Sequence, residues 1–205
     1  MAKNILVLEG TALWAKVFEP DTKFNPLGDY SINLQMPVAQ AAAMSEQLDQ
    51  IVQAKFNEAV KDDPRLKNTL TTQDVCQPVF DRETGDDTGN VEFKFKLKAK
   101  VQKRDGTYYE QQPAVLDSKK VPMTNDILIG NGSRVKVAFE PIPYVMASTK
   151  KAGVSLRLKA VQVIDLVEYG NSAASVFDEE DGFVAPSATI VAETSTEELA
   201  DVADF

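Results

Sequence analysis

Histidine is absent from all 205 residues and cysteine occurs once, at Cys76. Together these absences exclude intrachain disulfides, zinc sites built from Cys and His, and every triad or acid–base pair that needs an imidazole. Catalysis would have to run on carboxylates, Lys, Tyr or Ser. Cys76, with no imidazole to activate it, reads as a small, partly buried apolar residue. Long apolar runs are missing too, since nothing approaches the roughly 18 residues of a membrane span. The opening MAKNILVLEG has only a short apolar run with no small-residue cleavage pattern behind it. The expectation is a cytoplasmic protein with no membrane partner.

Basic residues are missing from one whole segment: residues 171–205 hold 9 acids and no Lys or Arg. What remains is unevenly spread. Residues 1–93 carry 8 basic and 15 acidic side chains, residues 94–159 carry 14 and 5, and residues 160–170 add two acids. The net charge of -9 is therefore an average over opposed segments. A basic third can bind a polyanion while an acidic tail sets the isoelectric point.

Hydrophobic content of 43% with 26% charged residues fits one globular domain with an appendage. Ile5 to Val17 reads as a strand interrupted by Gly10, and residues 18–30 as a loop with two prolines and Gly28. Tyr30 to Met36 alternates with Ile32 and Leu34 inward, a second strand stopped by Pro37. From Val38 to about Lys61 the period changes to 3.6, with Met44, Leu48, Ile51, Val52, Phe56, Ala59 and Val60 on one stripe and Asp62-Asp63-Pro64 as the stop. Residues 64–90 look irregular. A strand over residues 91–101 then turns at Lys103-Arg104-Asp105-Gly106, and Thr107 to Leu116 is expected to return as its hairpin partner. Further strands follow at about Arg134 to Glu140 and Val154 to Tyr169. The pattern predicts a mainly β fold, a small Greek-key barrel with one inserted helix. Its domain spans 1–170, and the acidic tail 171–205 is too poor in apolar residues to order itself unbound.

In the stretch VEFKFKLKAKV, Lys94, Lys96, Lys98 and Lys100 share one strand face while Val91, Phe93, Phe95, Leu97, Ala99 and Val101 share the other. Folding gains nothing from four like charges in a row; a solvated face that discourages edge pairing is the plain reading. Arg134 and Lys136 alternate in the same way, as do Arg157 and Lys159. If these strands are neighbours, their basic faces merge into one groove, with Lys103, Arg104, Lys119, Lys120, Lys150 and Lys151 on its rims. Tyr108 and Tyr109 follow the turn, Trp14 and Tyr30 lie on the first strands, and the flanking prolines are expected to hold Tyr144 in a loop beside basic strands. A basic groove with aromatic rings suits single-stranded DNA, lysines tracking phosphates and rings stacking bases. A duplex reader would present a basic helix, which this chain lacks.

Enzyme signatures are poor, and the reading is a binding protein with no cofactor. Gly130-Asn131-Gly132-Ser133 lacks the Lys and spacing of a phosphate loop, and the acids at 81–87 do not match a calcium loop. A metal nuclease on Asp117, Asp126 or Asp165 has nothing to fix its spacing. The alternative is an interaction module whose basic barrel face docks an acidic protein. In the tail, Asp201 and Asp204 belong to the second of two acidic clusters, and Phe205 offers a ring and a free carboxylate on one residue, a mimic of a base beside a phosphate.

The chain resembles the single-stranded DNA-binding proteins of short-tailed, T-seven-type phages. The likeness runs in order through Met1-Ala2-Lys3, Asn25-Pro26, Phe93-Lys94-Phe95-Lys96, Asp117-Ser118-Lys119, Ile129-Gly130, Gly132-Ser133, Pro143-Tyr144, Val154 to Gly170 and the tail ending Asp204-Phe205. The resemblance implies an OB-fold, sequence-independent binding and annealing of single strands in phage DNA replication, recombination and repair, and action in the cytoplasm of the infected host. It also implies a tail that contacts the phage DNA polymerase and helicase-primase, competes with DNA for the groove and assists homodimer formation. Lys3, Lys96 and Tyr144 match positions tied to DNA binding. Leu27 stands where the family pattern has arginine, and Ala138 where it has lysine.

Overall fold

A computed structural model describes residues 4–125 and 127–168. In chain order it contains β1 (Leu6–Asp21), β2 (Asp29–Pro37), helix α1 (Val38–Asp62), a 3-10 turn (Pro64–Asn68), β3 (Thr71–Thr72), β4 (Gln77–Phe80) and β5 (Asp87–Lys98). It continues with β6 (Lys100–Gln102), β7 (Tyr108–Glu110), β8 (Ala114–Leu116), β9 (Arg134–Met146) and β10 (Lys151–Asp165).

Five of these strands close on themselves. β9, β1, β2 and β5 are successive antiparallel neighbours, β10 runs antiparallel to β9, and β10 meets β5 in parallel with Leu156 opposite Phe95 and Arg157 opposite Lys96. Numbered along the chain as barrel strands one to five, this is the Greek-key order of an OB-fold. The alternation of β5 becomes the wall itself: Phe93, Phe95, Leu97 and Ala99 are buried, and Lys94, Lys96 and Lys98 are exposed. Ile32, Leu34, Val135, Val137, Phe139, Leu158 and Val161 meet them in the interior. Each such residue contributes about 1.5–3 kcal/mol on leaving water. Phe95 and Phe139 lie with ring centroids 5.0 Å apart at 57°, a tilted arrangement that aromatic quadrupoles favour.

The helix buries Ala41, Leu48 and Val52, with Met44 and Ile51 packed beside them, mainly against β9 and β10. It stops where Asp63, before Pro64, turns extended and accepts the Arg65 N–H on its carboxylate. Pro141 and Pro143 sit inside β9, where a proline is costly. Both lie beyond Phe139, the last β9 residue paired with β1, so the missing N–H groups fall on an edge that has run out of partner.

Three sequence expectations are corrected. Residues 107–116 do not return along β5: the turn closes only the short β6–β7 ribbon, and β8 leaves to pair in parallel with β10. The reason is Ala99, a corner buried between Gly28, whose carbonyl accepts its N–H, and Gln111, which donates to its carbonyl. Residues 64–90 are ordered, with β4 pairing on β5 and β3 on β10. Tyr144 lies within β9 and not in a loop. Lys3 and the tail, including Asp201, Asp204 and Phe205, lie outside the described residues, as does the proposed end of the domain at 170.

Candidate nucleic-acid interface

The second and third barrel strands of an OB-fold, with the loops joining strands one to two and four to five, form the surface on which this fold takes oligonucleotides. Here that surface is β2 beside β5. Register places Asn33 opposite Lys94, Ser31 opposite Lys96 and Asp29 opposite Lys98. On the other side of β5, Arg157 stands opposite Lys96. The outward face is thus a ridge of three lysines, flanked on β2 by Asn33, Ser31 and the carboxylate-bearing Asp29 and on β10 by an arginine.

Lys94, Lys96 and Lys98 are exposed, and among the described residues none is in an ion pair. Arg157 and Lys159 share one acid, Glu140, at 3.8 and 2.9 Å. Two cations on one carboxylate leave a positive charge over. Arg134 and Lys136 are more fully engaged. Arg134 donates to Asp165 at 2.7 Å and to Glu9 at 3.3 Å, and the hydrogen bond to Asp165 holds its guanidinium above the ordinary arginine range. Lys136 pairs with Glu9 at 3.4 Å. These two face Asp165 and Gln162 on β10, five and more residues beyond Arg157, roughly 16 Å along the strand. The expected single groove over three strands is therefore two regions. Lys100 also leaves the ridge: past the Ala99 corner it lies on β6 and pairs with Glu110 at 2.9 Å.

The aromatic residues divide as sharply. Tyr30 is only 7% exposed, and burial, then the Glu110 charge, pushes its hydroxyl above the ordinary phenol value. It is a core residue, which removes it from the rings open to a base. Tyr108 and Tyr109 are exposed on the β6–β7 ribbon. Tyr144 is half-buried on β9 opposite Gly153, where its ring lies so close that an added Cβ would stand 2.7 Å from the hydroxyl. That hydroxyl donates to Gln73 Oε1 at 2.9 Å, which fixes the ring at the β9–β10 end.

Sequence reasoning missed Phe24. It sits between β1 and β2 in the one-to-two loop and is 88% exposed, with the Lys23 ammonium 5.5 Å from its ring centre. Its signal was present: a phenylalanine placed among turn residues has no periodic stripe to join. Asn25 anchors the loop by donating to Asp29 Oδ1 at 3.0 Å, beside the Lys98 end of the ridge.

The carboxylates considered for metal chemistry have structural partners. Asp117 accepts the N–H groups of Lys119 and Val121, Asp165 pairs with Arg134, and Asp126 is not described. Among the described residues no group of three or more ligand-type side chains is arranged to hold a metal ion, and no helix is long and apolar enough to cross a membrane.

The family model described as single-stranded DNA-binding protein of bacteriophage T7 matches residues 10–166. The single-stranded DNA-binding protein of Escherichia phage T7 is 30% identical over 193 residues, covering 88% of this chain and 81% of that one. That of Enterobacteria phage T3 is 28% identical over 166 residues, covering 76% and 70%. Among solved structures, the T7 protein superposes with a TM-score of 0.66 at 28% identity, covering 90% of this chain and 100% of the other. The phage Enc34 single-stranded DNA-binding protein, solved with single-stranded DNA, shares the fold with a TM-score of 0.52 at 13% identity, covering 81% and 89%.

Proposed function

Because the chain belongs to the family of T7-type phage single-stranded DNA-binding proteins, we propose that it binds single-stranded DNA without sequence preference across the β2–β5 face. The observation that carries this is the unpaired lysine ridge. Three like charges stacked on alternate residues repel one another, and a polyanion laid along them turns that repulsion into attraction with release of its counterions. Lys94, Lys96 and Lys98 track phosphates with Arg157 alongside, while Lys159, Tyr144, Phe24 and Tyr108 border the path. Lys100, Arg134 and Lys136 are secondary contacts on this reading, and Lys3, which matches a family position tied to DNA binding, is kept as a contact. Tyr30 supports the wall from within.

The wider role is protection and annealing of single strands during phage DNA replication and recombination in the host cytoplasm. Residues 171–205 supply the partner surface, with Asp201, Asp204 and Phe205 directed to the phage DNA polymerase and helicase-primase, and they compete with DNA for the ridge and assist pairing into homodimers. Charge complementarity between this segment and residues 94–159 supports the competition.

Titration of the full chain against oligo-dT and against duplex of equal length checks the first part. Single strands should bind more tightly at every salt concentration, and equal binding of duplex would overturn it. Deleting residues 171–205 should tighten binding to oligo-dT; an unchanged affinity would remove the competition mechanism.

A further inference from the structure

Trp14 is held in a conformation that its side chain disfavours. Its φ is +53°, in the left-handed region that bulky residues avoid, and the indole is 57% exposed. The cause is a bulge. Between the Leu13–Asn33 and Lys16–Ser31 pairs, β1 uses one more residue than β2. That extra residue shifts the alternation by one, from Leu8 and Ala12 buried before it to Val17 buried after it, with Lys16 facing out.

The neighbouring turn enforces the geometry. Trp14 N–H donates to Asn131 Oδ1 at 2.8 Å, Gly132 N–H donates to the Ala12 carbonyl, and Ala12 N–H donates to the Ser133 carbonyl. Buried Ser133 in turn donates to the Gly130 carbonyl and accepts the Val167 N–H. Strain sustained by so many fixed contacts marks a place where the side chain is wanted for something other than folding. Glycine would satisfy the same backbone without strain.

The indole borders a cleft of about 450 Å³ that also includes Lys16, Phe18, Leu128, Ile129 and Asn131. Glu19 and Asp21 also line it, and the Asp21 carboxylate is engaged by the Lys16 ammonium and the Lys23 N–H. A lining of apolar residues and carboxylates suits the uncharged part of a nucleotide and disfavours its phosphate. Lys16 connects the cleft to the ridge. The paired residues Lys16, Ser31, Lys96 and Arg157 form one transverse row over β1, β2, β5 and β10.

We propose that the Trp14 cleft seats an unpaired base of the single strand whose phosphates track the ridge, this row joining the cleft to it, with the indole as the stacking partner of that base. This rests on the single-strand binding reading above and adds a defined end to the path.

Trp14 is the chain's one tryptophan, so selective indole emission reports on this cleft alone. Oligo-dT binding to the full chain is measured by anisotropy of a labelled strand, in parallel with indole emission. Emission should fall in step with binding, and an abasic deoxyribose-phosphate oligomer of equal length should leave it unchanged. Trp14→Gly should keep or raise the unfolding midpoint while weakening oligo-dT binding by about 5- to 150-fold, and Trp14→Phe should recover most of the loss. Tight binding with unchanged emission, or full affinity in Trp14→Gly, overturns the base seat and leaves the ridge standing. Absence of any binding by anisotropy overturns the proposed function instead. An emission change on diluting the protein without DNA would mean that a second copy fills the cleft, which also overturns the proposal. If Trp14→Gly does not fold, quenching of the unmodified chain still decides.

Discussion

Replacing Lys94, Lys96 and Lys98 together by glutamine should flatten the salt dependence of single-strand binding. Each phosphate neutralised on a single strand contributes about -0.7 to the slope of log affinity against log salt. With the three ridge lysines and Arg157 engaged, the slope is about -2.8, and affinity falls roughly 50-fold between about 50 and 200 mM salt. Removing the ridge leaves about -0.7, a fall of only about 3-fold over the same interval. The matched control is Arg134→Gln with Lys136→Gln. These cations are tied to Asp165 and Glu9 and lie away from the ridge, so their loss should alter the slope by less than about 0.7, one phosphate's worth. Anisotropy of labelled oligo-dT over a salt series reads both, and thermal unfolding checks that the barrel is intact. Since the ridge lysines make no ion pairs among the described residues, their neutralisation should not lower stability. A triple variant with the parent slope, or a control that flattens it as much, would refute the division of the surface into free and engaged charge.

Other outcomes follow from the same structure. Phe24→Ser should leave the unfolding midpoint unchanged, because the ring is almost wholly in solvent, yet weaken oligo-dT binding by about 1–3 kcal/mol if it stacks on a base; equal affinity would remove it from the path. Gly153→Ala forces a Cβ against the Tyr144 ring and should cost about 1–3 kcal/mol of stability by denaturant unfolding, an effect that Tyr144→Ala introduced in addition should relieve. On the acid side, Asp105 is held below the usual carboxylate range by the Thr107 hydroxyl and N–H, and Asp81 by the Thr84 and Glu83 N–H groups. A depressed carboxyl contributes stability above its unfolded value near 4 and loses it as pH falls through the folded value. The unfolding midpoint should therefore drop below about pH 4, and less so in Asp81→Asn with Asp105→Asn; melts with identical acid dependence would contradict this.

The barrel's walls were legible where two sides of a strand meet different media. β5 announces itself because Phe93, Phe95 and Leu97 must leave water and Lys94, Lys96 and Lys98 cannot, and α1 because its apolar residues recur with the helical period. What was hidden depends on which strands become neighbours. Nothing local to Arg134 and Lys136 says that Glu9 and Asp165, 125 and 31 residues away in sequence, will meet them. Tyr30 differs: its place in the alternation of β2 already points inward with Ile32 and Leu34, and its burial was legible there. Turns gave the opposite error, since the Ala99 corner is made by Gly28 from a distant loop, and a hairpin signal alone could not show that the returning chain would leave at β8.

The parallel pairing of β5 with β10 has a kinetic consequence. The two strands are joined only after some sixty intervening residues have emerged, and pairings of such sequence separation are reached slowly because loop closure precedes any reward. A nascent chain that has not yet presented β10 has its ridge lysines but no Arg157 beside Lys96. Affinity for single strands should therefore appear late in synthesis, as one of the last properties acquired, so that an incomplete product on the ribosome competes poorly for the DNA that the finished barrel covers.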